Sequence, residues 1–224
     1  MRVALLVPAG GAGRRMGGVH KPMLEIAGRP MLERSLAPFL DRSDVVHVIV
    51  ALPEELCADP PAWLTADARV RVVAGGAERG DSVRNALDVL GDDVDVILVH
   101  DAARPLVTDV IIERCIRAAA GGRAAIAAVP VVDTIKEVDE GGRIVATPDR
   151  RRLWAAQTPQ AFPAAMLRSA HAQAAREGVG ATDDAALVAR YGDEVIVVEG
   201  DPGNLKITTP ADIAVAEALI ARGT

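Results

Sequence analysis

Short runs of Val, Ile, Leu and Ala recur along this chain without the polar alternation of a half-exposed strand, at residues 3–7, 45–51, 70–73, 94–100, 124–129 and 195–198. Unbroken apolar runs of this length suit strands whose two faces are both covered. Helical patterns lie between them. Residues 30–40 open on Pro30, which fits a first helical position. Residues 82–90 place Val83, Ala86, Leu87 and Leu90 on one stripe, and residues 108–119 do the same with Val110, Ile111, Cys115 and Ala118. Residues 163–176 read as a further helix. Near the end, Thr209 can cap a helix begun by Pro210, with Ile213, Ala216 and Ile220 inward. The order strand–helix–strand predicts an α/β fold: a mostly parallel sheet with helices on both faces.

One segment breaks the rhythm. Residues 131–149 are more polar and carry the turn Glu140–Gly141–Gly142. They read as a projecting β-hairpin pairing residues 137–138 with 144–145. A lone hairpin is marginal in water, so it is expected to pack on a second subunit. We take residues 1–224 as one domain, with residues 131–152 as its arm.

Composition narrows the function. Half of the 224 residues are hydrophobic, enough for a substantial core. Aromatics are 2% and the net charge is −6, which argues against nucleic acid as a partner. Cys57 and Cys115 lack metal-ligand spacing and are too few for a disulfide framework; both read as reduced thiols. The apolar run after Met1 is too short for a signal peptide, and a spanning helix needs about 20 apolar residues. The expected setting is cytoplasmic, with no membrane contact.

The loop after the first strand runs from Pro8 and Ala9 through Gly10, Gly11, Ala12 and Gly13 to Arg14, Arg15 and Met16. Small residues let backbone N–H groups approach phosphate oxygens, and the arginines add permanent charge. Lys21 follows closely. The loop is neither a Walker A, since Val19–His20 stands where Lys–Ser/Thr is required, nor a dinucleotide fingerprint, since Met16 replaces its third glycine. A tight strand-to-helix turn is the plain alternative. Asp101 follows the fourth strand, at the sheet edge where ligands bind, and there a carboxylate can hold Mg²⁺ against a triphosphate. It can equally cap a helix or pair with Arg104. His100 reads as a packed histidine. Residues 75–83 open a helix where Ser82 can bind a nucleotide, or where Asp81 or Ser82 simply caps. Residues 150–162 read as a basic run leading into a compact loop. Lys206, after the last strand, can reach the same edge as Asp101.

These blocks, at residues 8–16, 75–83, 99–105, 133–136, 153–162, 182–185 and 206–212, resemble the 2-C-methyl-D-erythritol 4-phosphate cytidylyltransferases of the non-mevalonate isoprenoid pathway over nearly the whole chain. The resemblance implies a Rossmann-like nucleotidyltransferase fold, Mg²⁺ as cofactor, CTP and a small polyol phosphate as substrates, and a homodimer with interlocking arms. By position it makes Arg15, Lys21 and Lys206 the catalytic cations. It gives nucleotide contacts to Pro8, Ala9, Gly10, Gly11, Gly13, Gly76, Ser82, Asp101 and Ala102, and the metal to Asp101. Arg104, Thr158 and Lys206 would line the polyol phosphate site, with Thr134 and Arg150 reaching from the arm into the partner's site. The chain departs from the family at His20–Lys21–Pro22, where Pro–Lys–Gln is usual. Lys21–Pro22–Met23–Leu24 is closer to sugar-nucleotide pyrophosphorylases. A ribitol 5-phosphate cytidylyltransferase, a sugar-1-phosphate nucleotidyltransferase and a non-catalytic nucleotide-binding protein are the competing readings.

Overall fold

A computed structural model describes residues 1–10 and 20–223. The first half of the chain forms β1 (Val3–Pro8), a single 3₁₀ turn at Lys21–Met23, a small antiparallel pair β2 (Glu25–Ile26) and β3 (Arg29–Pro30), α1 (Met31–Leu40), β4 (Val45–Leu52), the short helices α2 (Glu54–Ala58) and α3 (Ala62–Thr65), β5 (Val70–Ala74), α4 (Arg79–Asp88) and β6 (Val96–Val99). The second half adds α5 (Asp109–Ala120), β7 (Ala124–Pro130), the paired strands β8 (Glu137–Val138) and β9 (Ile144–Ala146), β10 (Trp154–Pro163), α6 (Ala164–Glu177), α7 (Asp184–Arg190), β11 (Val195–Glu199) and α8 (Pro210–Ala221).

Seven strands make one sheet in the order β11-β7-β10-β6-β1-β4-β5. Alternate residues of β1 feed its two faces. Val3, Leu5 and Val7 pack with Leu32, Leu36 and Phe39 of α1 and with Ile112 and Ile116 of α5. Ala4 and Leu6 pack with Val83 and Leu87 of α4 and with Leu167 and Ala170 of α6. This double coverage is the physical reason for the unbroken apolar runs.

The chain runs outward from β1 through β4 to β5, then returns to β6 on the other side of β1. That reversal opens a crevice beyond the carboxyl ends of β1 and β6, the usual place for a ligand in such sheets.

Two sequence expectations are corrected. The stretch read as a compact loop after the arginine run is β10, antiparallel to both β6 and β7. Pro159 and two glutamines disguise it. The register with β7 shifts between Ala156 and Gln160, so Pro159 sits outside the ladder and its missing N–H costs no sheet hydrogen bond. Helix α4 also starts at Arg79, not residue 82. Its cap is neither Asp81 nor Ser82 but Glu78, in a reciprocal capping box with Asp81. The cap expected at the other end of the chain is present and is half of a second such box: Thr209 caps α8, and Asp212 accepts the Thr209 N–H at 2.8 Å.

The arm is the β8–β9 pair. Gly142 turns it at φ +77°, and the Asp139 carboxylate accepts the N–H groups of Gly141 and Arg143, each at 3.0 Å. Val132, Val138, Ile144 and Val145 are each more than half exposed on this projection.

Candidate active site

The crevice is built from three chain segments that the topology brings to one sheet edge. Pro8, Ala9 and Gly10 come from the end of β1, Gly76 and Ser82 from the entry to α4, and Asp101 and Ala102 from the end of β6; all line it, together with Lys21, Arg79 and Lys206.

Backbone closeness shapes one wall. A Cβ on Gly76 would lie 2.1 Å from Asp81 Cβ. The Gly76 N–H is thereby free to donate to Ser82 Oγ at 3.0 Å, while the Ser82 hydroxyl donates to the Glu78 carbonyl at 3.3 Å. Ser82 is buried and tied into this turn, so it shapes the wall rather than capping the helix. Gly76→Ala is expected to cost about 1–3 kcal/mol through overpacking. A urea midpoint equal to that of the parent protein would contradict this.

The opposite wall is electrostatic. Asp101 is nearly buried, and Lys206 Nζ lies 2.8 Å from its Oδ2 while Arg79 Nε lies 3.4 Å from its Oδ1. Arg104 Nε stands 3.9 Å away, too far for a hydrogen bond. Burial alone would raise the carboxyl, but Lys206, Arg79 and Arg104 outweigh it and bring it down to about 2. The carboxylate is therefore charged at any physiological pH. Asp101 is no helix cap; its main partner is Lys206 rather than Arg104.

A second layer holds these groups in place. The Asp101 N–H donates to Thr158 Oγ1 at 3.0 Å, and the Thr158 hydroxyl meets His100 Nδ1 at 2.9 Å. His100 Nε2 lies 3.2 Å from the Arg104 carbonyl, which makes Nε2 the protonated nitrogen and Nδ1 the acceptor. Full burial lowers His100 to about 4, so it is neutral, and it packs on Phe39 with ring centroids 5.0 Å apart. It is the packed histidine that the sequence suggested. Arg104 is buried and donates to the carbonyls of Asn204 and Ala156, at 2.7 and 3.1 Å. It ties β10 and the segment leading to Lys206 against the loop after β6. Gln157 reinforces that tie by donating to the Asp201 carbonyl at 2.8 Å, and Asn204 Nδ2 by donating to the Thr158 carbonyl at 2.9 Å. Thr158 and Arg104 thus stand behind the crevice wall.

Thr134 is exposed on the arm; Arg150, also exposed, follows it and donates to the Val132 carbonyl at 2.7 Å. Neither lines this chain's own crevice. Gly11, Gly13 and Arg15 lie outside the described residues. Sequence reasoning missed Arg79 as a site residue, and with it Asp184 and His171 behind it. Arg79 sat in the glycine-rich block and Asp184 in the 182–185 block, but the two are 105 positions apart and nothing local pairs them.

A glycine-lined turn facing a clamped carboxylate at a sheet switch point is suited to polyphosphate, the substrate feature of a nucleotidyltransferase, and the chain's relatives place it in that class. The sequence pattern of 2-C-methyl-D-erythritol 4-phosphate cytidylyltransferases matches residues 3–222. The 2-C-methyl-D-erythritol 4-phosphate cytidylyltransferase of Parasynechococcus marenigrum is 43% identical over 220 residues, covering 97% of both chains. That of Syntrophotalea carbinolica is 45% identical over 230 residues, covering 98% of this chain and 97% of the other. The crystal structure of the Thermus thermophilus enzyme of that name superposes with a TM-score of 0.83 at 39% identity, covering 98% of each chain. The chain belongs to the 2-C-methyl-D-erythritol 4-phosphate cytidylyltransferase family.

Proposed function

We infer that this crevice takes CTP with its triphosphate directed to Lys21, Lys206 and Arg79 and its cytidine against the wall of Ala9, Gly10, Gly76 and Ser82; Arg15 is added to these cations by the family resemblance alone. As a member of its family, the chain transfers the cytidylyl group from CTP to 2-C-methyl-D-erythritol 4-phosphate and releases pyrophosphate. An oxygen of the phosphate monoester forms a bond to the α-phosphorus, and the α-phosphorus bond to the bridging oxygen of the departing pyrophosphate breaks. The monoester's second pKa is about 6, so the nucleophile is already largely dianionic at neutral pH. No general base is required. The obstacle is the approach of one anion to another, which calls for positioning and charge neutralisation. The observation that carries this reading is the charged Asp101 carboxylate held between Lys206 and Arg79 at the mouth of the sheet.

The donor set fits a hard divalent ion such as Mg²⁺. Asp101 supplies one carboxylate, and Mg²⁺ ordinarily takes one or two carboxylates and completes its shell with phosphate oxygens and water. Among the described residues no cluster of three acidic, His or Cys side chains stands ready to hold a metal alone. When bound, the ion would neutralise triphosphate charge beside Asp101. The roles of Thr158 and Arg104 toward the polyol phosphate are indirect in this reading: they fix Asp101 and the Lys206 segment.

The apolar exposure of the arm supports a homodimer in which Thr134 and Arg150 reach the partner's crevice. Among the described residues no helix is long and apolar enough to cross a membrane. The two unpaired cysteines suit a cytoplasmic setting. If the site is shared, Arg150→Ala and Lys21→Ala should each be nearly inactive as homodimers, and verified heterodimers of the two should recover part of the activity. No recovery, or a strictly monomeric particle in sedimentation, would refute the shared site.

A further inference from the structure

Behind the crevice stand two buried groups that the transfer reaction itself does not touch, His171 and Asp184, joined to the charges that line it. His171 Nε2 stands 2.8 Å from Asp184 Oδ1, and Arg79 Nη1 lies 2.5 Å from Asp184 Oδ2. Arg79 then reaches Asp101 at 3.4 Å, and Asp101 reaches Lys206 at 2.8 Å. Asp184 is 2% exposed and His171 is 5% exposed. A carboxylate so deep must be paired, and both of its oxygens are. The position of Asp184 is over-determined: it opens α7, whose cap is Asp183, and Gln160 of β10 holds that turn by donating to Asp183 at 2.9 Å and accepting the Ala185 N–H at 3.1 Å. Arg79 is the opposite case. It is the first residue of α4 and a long side chain, and its guanidinium has a choice between two carboxylates.

We propose that Asp184, oriented by His171, is a positioning residue for the nucleotide site: it holds Arg79 at the crevice wall and keeps it from closing onto Asp101. The contact lengths support the direction. Arg79 is held tightly by Asp184 and only loosely by Asp101, and both Arg79 and Asp101 line the crevice. Without the Asp184 charge, Arg79 has one carboxylate left, and its attraction to Asp101 is unopposed. The cation would then neutralise the group that faces the triphosphate. His171 acts one step further back. Its N–H fixes the orientation of the Asp184 carboxylate, so a donor at that place matters and an aromatic ring does not.

This inference rests on the crevice being the CTP site. The test uses full-length Asp184→Asn, His171→Leu and His171→Gln, with CTP binding measured by calorimetry and pyrophosphate release followed against each substrate separately. Asp184→Asn should weaken CTP binding and raise KM for CTP about tenfold or more, leaving KM for methylerythritol phosphate unchanged. His171→Leu should shift the same parameters in the same direction, and His171→Gln, which retains an N–H donor, should restore them. A folded Asp184→Asn with parental CTP affinity would overturn the proposal. So would His171→Leu and His171→Gln failing alike, or a loss spread equally over both substrates, as a merely structural role predicts. If Asp184→Asn does not fold, the two His171 variants decide alone. Should the parent bind CTP without turnover, the functional reading fails while the binding comparison still decides the role of Asp184; a parent that binds no CTP overturns both.

Discussion

Lys206→Ala should fold and yet release pyrophosphate about 10²–10³-fold more slowly than the parent, the usual consequence of removing one pre-positioned charge partner from a transferring group. The two halves of this expectation have separate physical grounds. Lys206 is close to half exposed as a side chain, so its ion pair with Asp101 is screened and its loss costs at most on the order of 1 kcal/mol of stability. Asp101 keeps Arg79 and Arg104 nearby and is not left as a lone buried charge. Catalysis is different. The Lys206 ammonium stands at the crevice, placed there by the Ile207 N–H, which donates to the Ala103 carbonyl at 2.8 Å, and by the Arg104 clamp on Asn204. No other group of that segment can take over its charge. Steady-state rates alongside thermal melting check this. A variant with a parental melting temperature and a near-parental rate would remove Lys206 from the mechanism.

Asp101→Asn is the converse experiment and should harm both activity and stability. It removes the negative charge that Lys206, Arg79 and Arg104 share, and with it a carboxylate suited to a metal. The activity loss should be at least as large as that of Lys206→Ala. The stability loss has a pH signature. The folded carboxyl is held at about 2, below its value near 3.9 in an unfolded chain. A group depressed in this way stabilises the fold fully above the unfolded value and loses that contribution as pH falls through the folded one. The parent should therefore be more stable than Asp101→Asn by about 2 kcal/mol from neutral pH down to about 4, with the gap closing toward pH 2. Urea midpoints across that range measure it. A gap that stayed constant down to pH 2, or one that opened only in acid, would contradict the assignment of charge.

The parts of this molecule that could be read from sequence are those whose physics is local. Residues 3–7 announce β1 because each side chain has a hydrophobic neighbour on one face of the sheet or the other. Thr209 and Pro210 announce α8 because a cap and a first helical residue stand next to each other. The arm was visible because the Gly141–Gly142 turn and its two flanking strands belong to one short segment. What stayed hidden depends on distant partners. Strand β10 looks like a loop because it carries Gln157, Pro159 and Gln160. Those amides are buried and satisfied by Asp201 and Asp183, 44 and 23 positions away, and a sequence does not distinguish such a glutamine from one in water.

The site divides along the same line. Lys21, Asp101 and Lys206 were legible because each follows or approaches a strand end, and parallel sheets place their ligands there. Arg104 and Thr158 were singled out in the sequence, but their hydrogen bonds behind the wall, to Asn204 and Ala156 and to Asp101, join segments far apart in the chain and could not be read there. Arg79 is the clearest omission. In sequence it is one more charge near a glycine turn, while in the fold it joins the two buried carboxylates on which the site is built.

The central claim is that a clamped carboxylate and a ring of cations allow a phosphorylated polyol to displace pyrophosphate from CTP. Its most direct test is pyrophosphate release by the purified protein with magnesium, measured over a grid of CTP, UTP, GTP and ATP against 2-C-methyl-D-erythritol 4-phosphate and ribitol 5-phosphate. Turnover should be concentrated in the pairing of CTP with methylerythritol phosphate. Equal or faster turnover with ribitol 5-phosphate, a preference for another nucleotide, or no cytidine diphosphate–polyol from any pairing would contradict it.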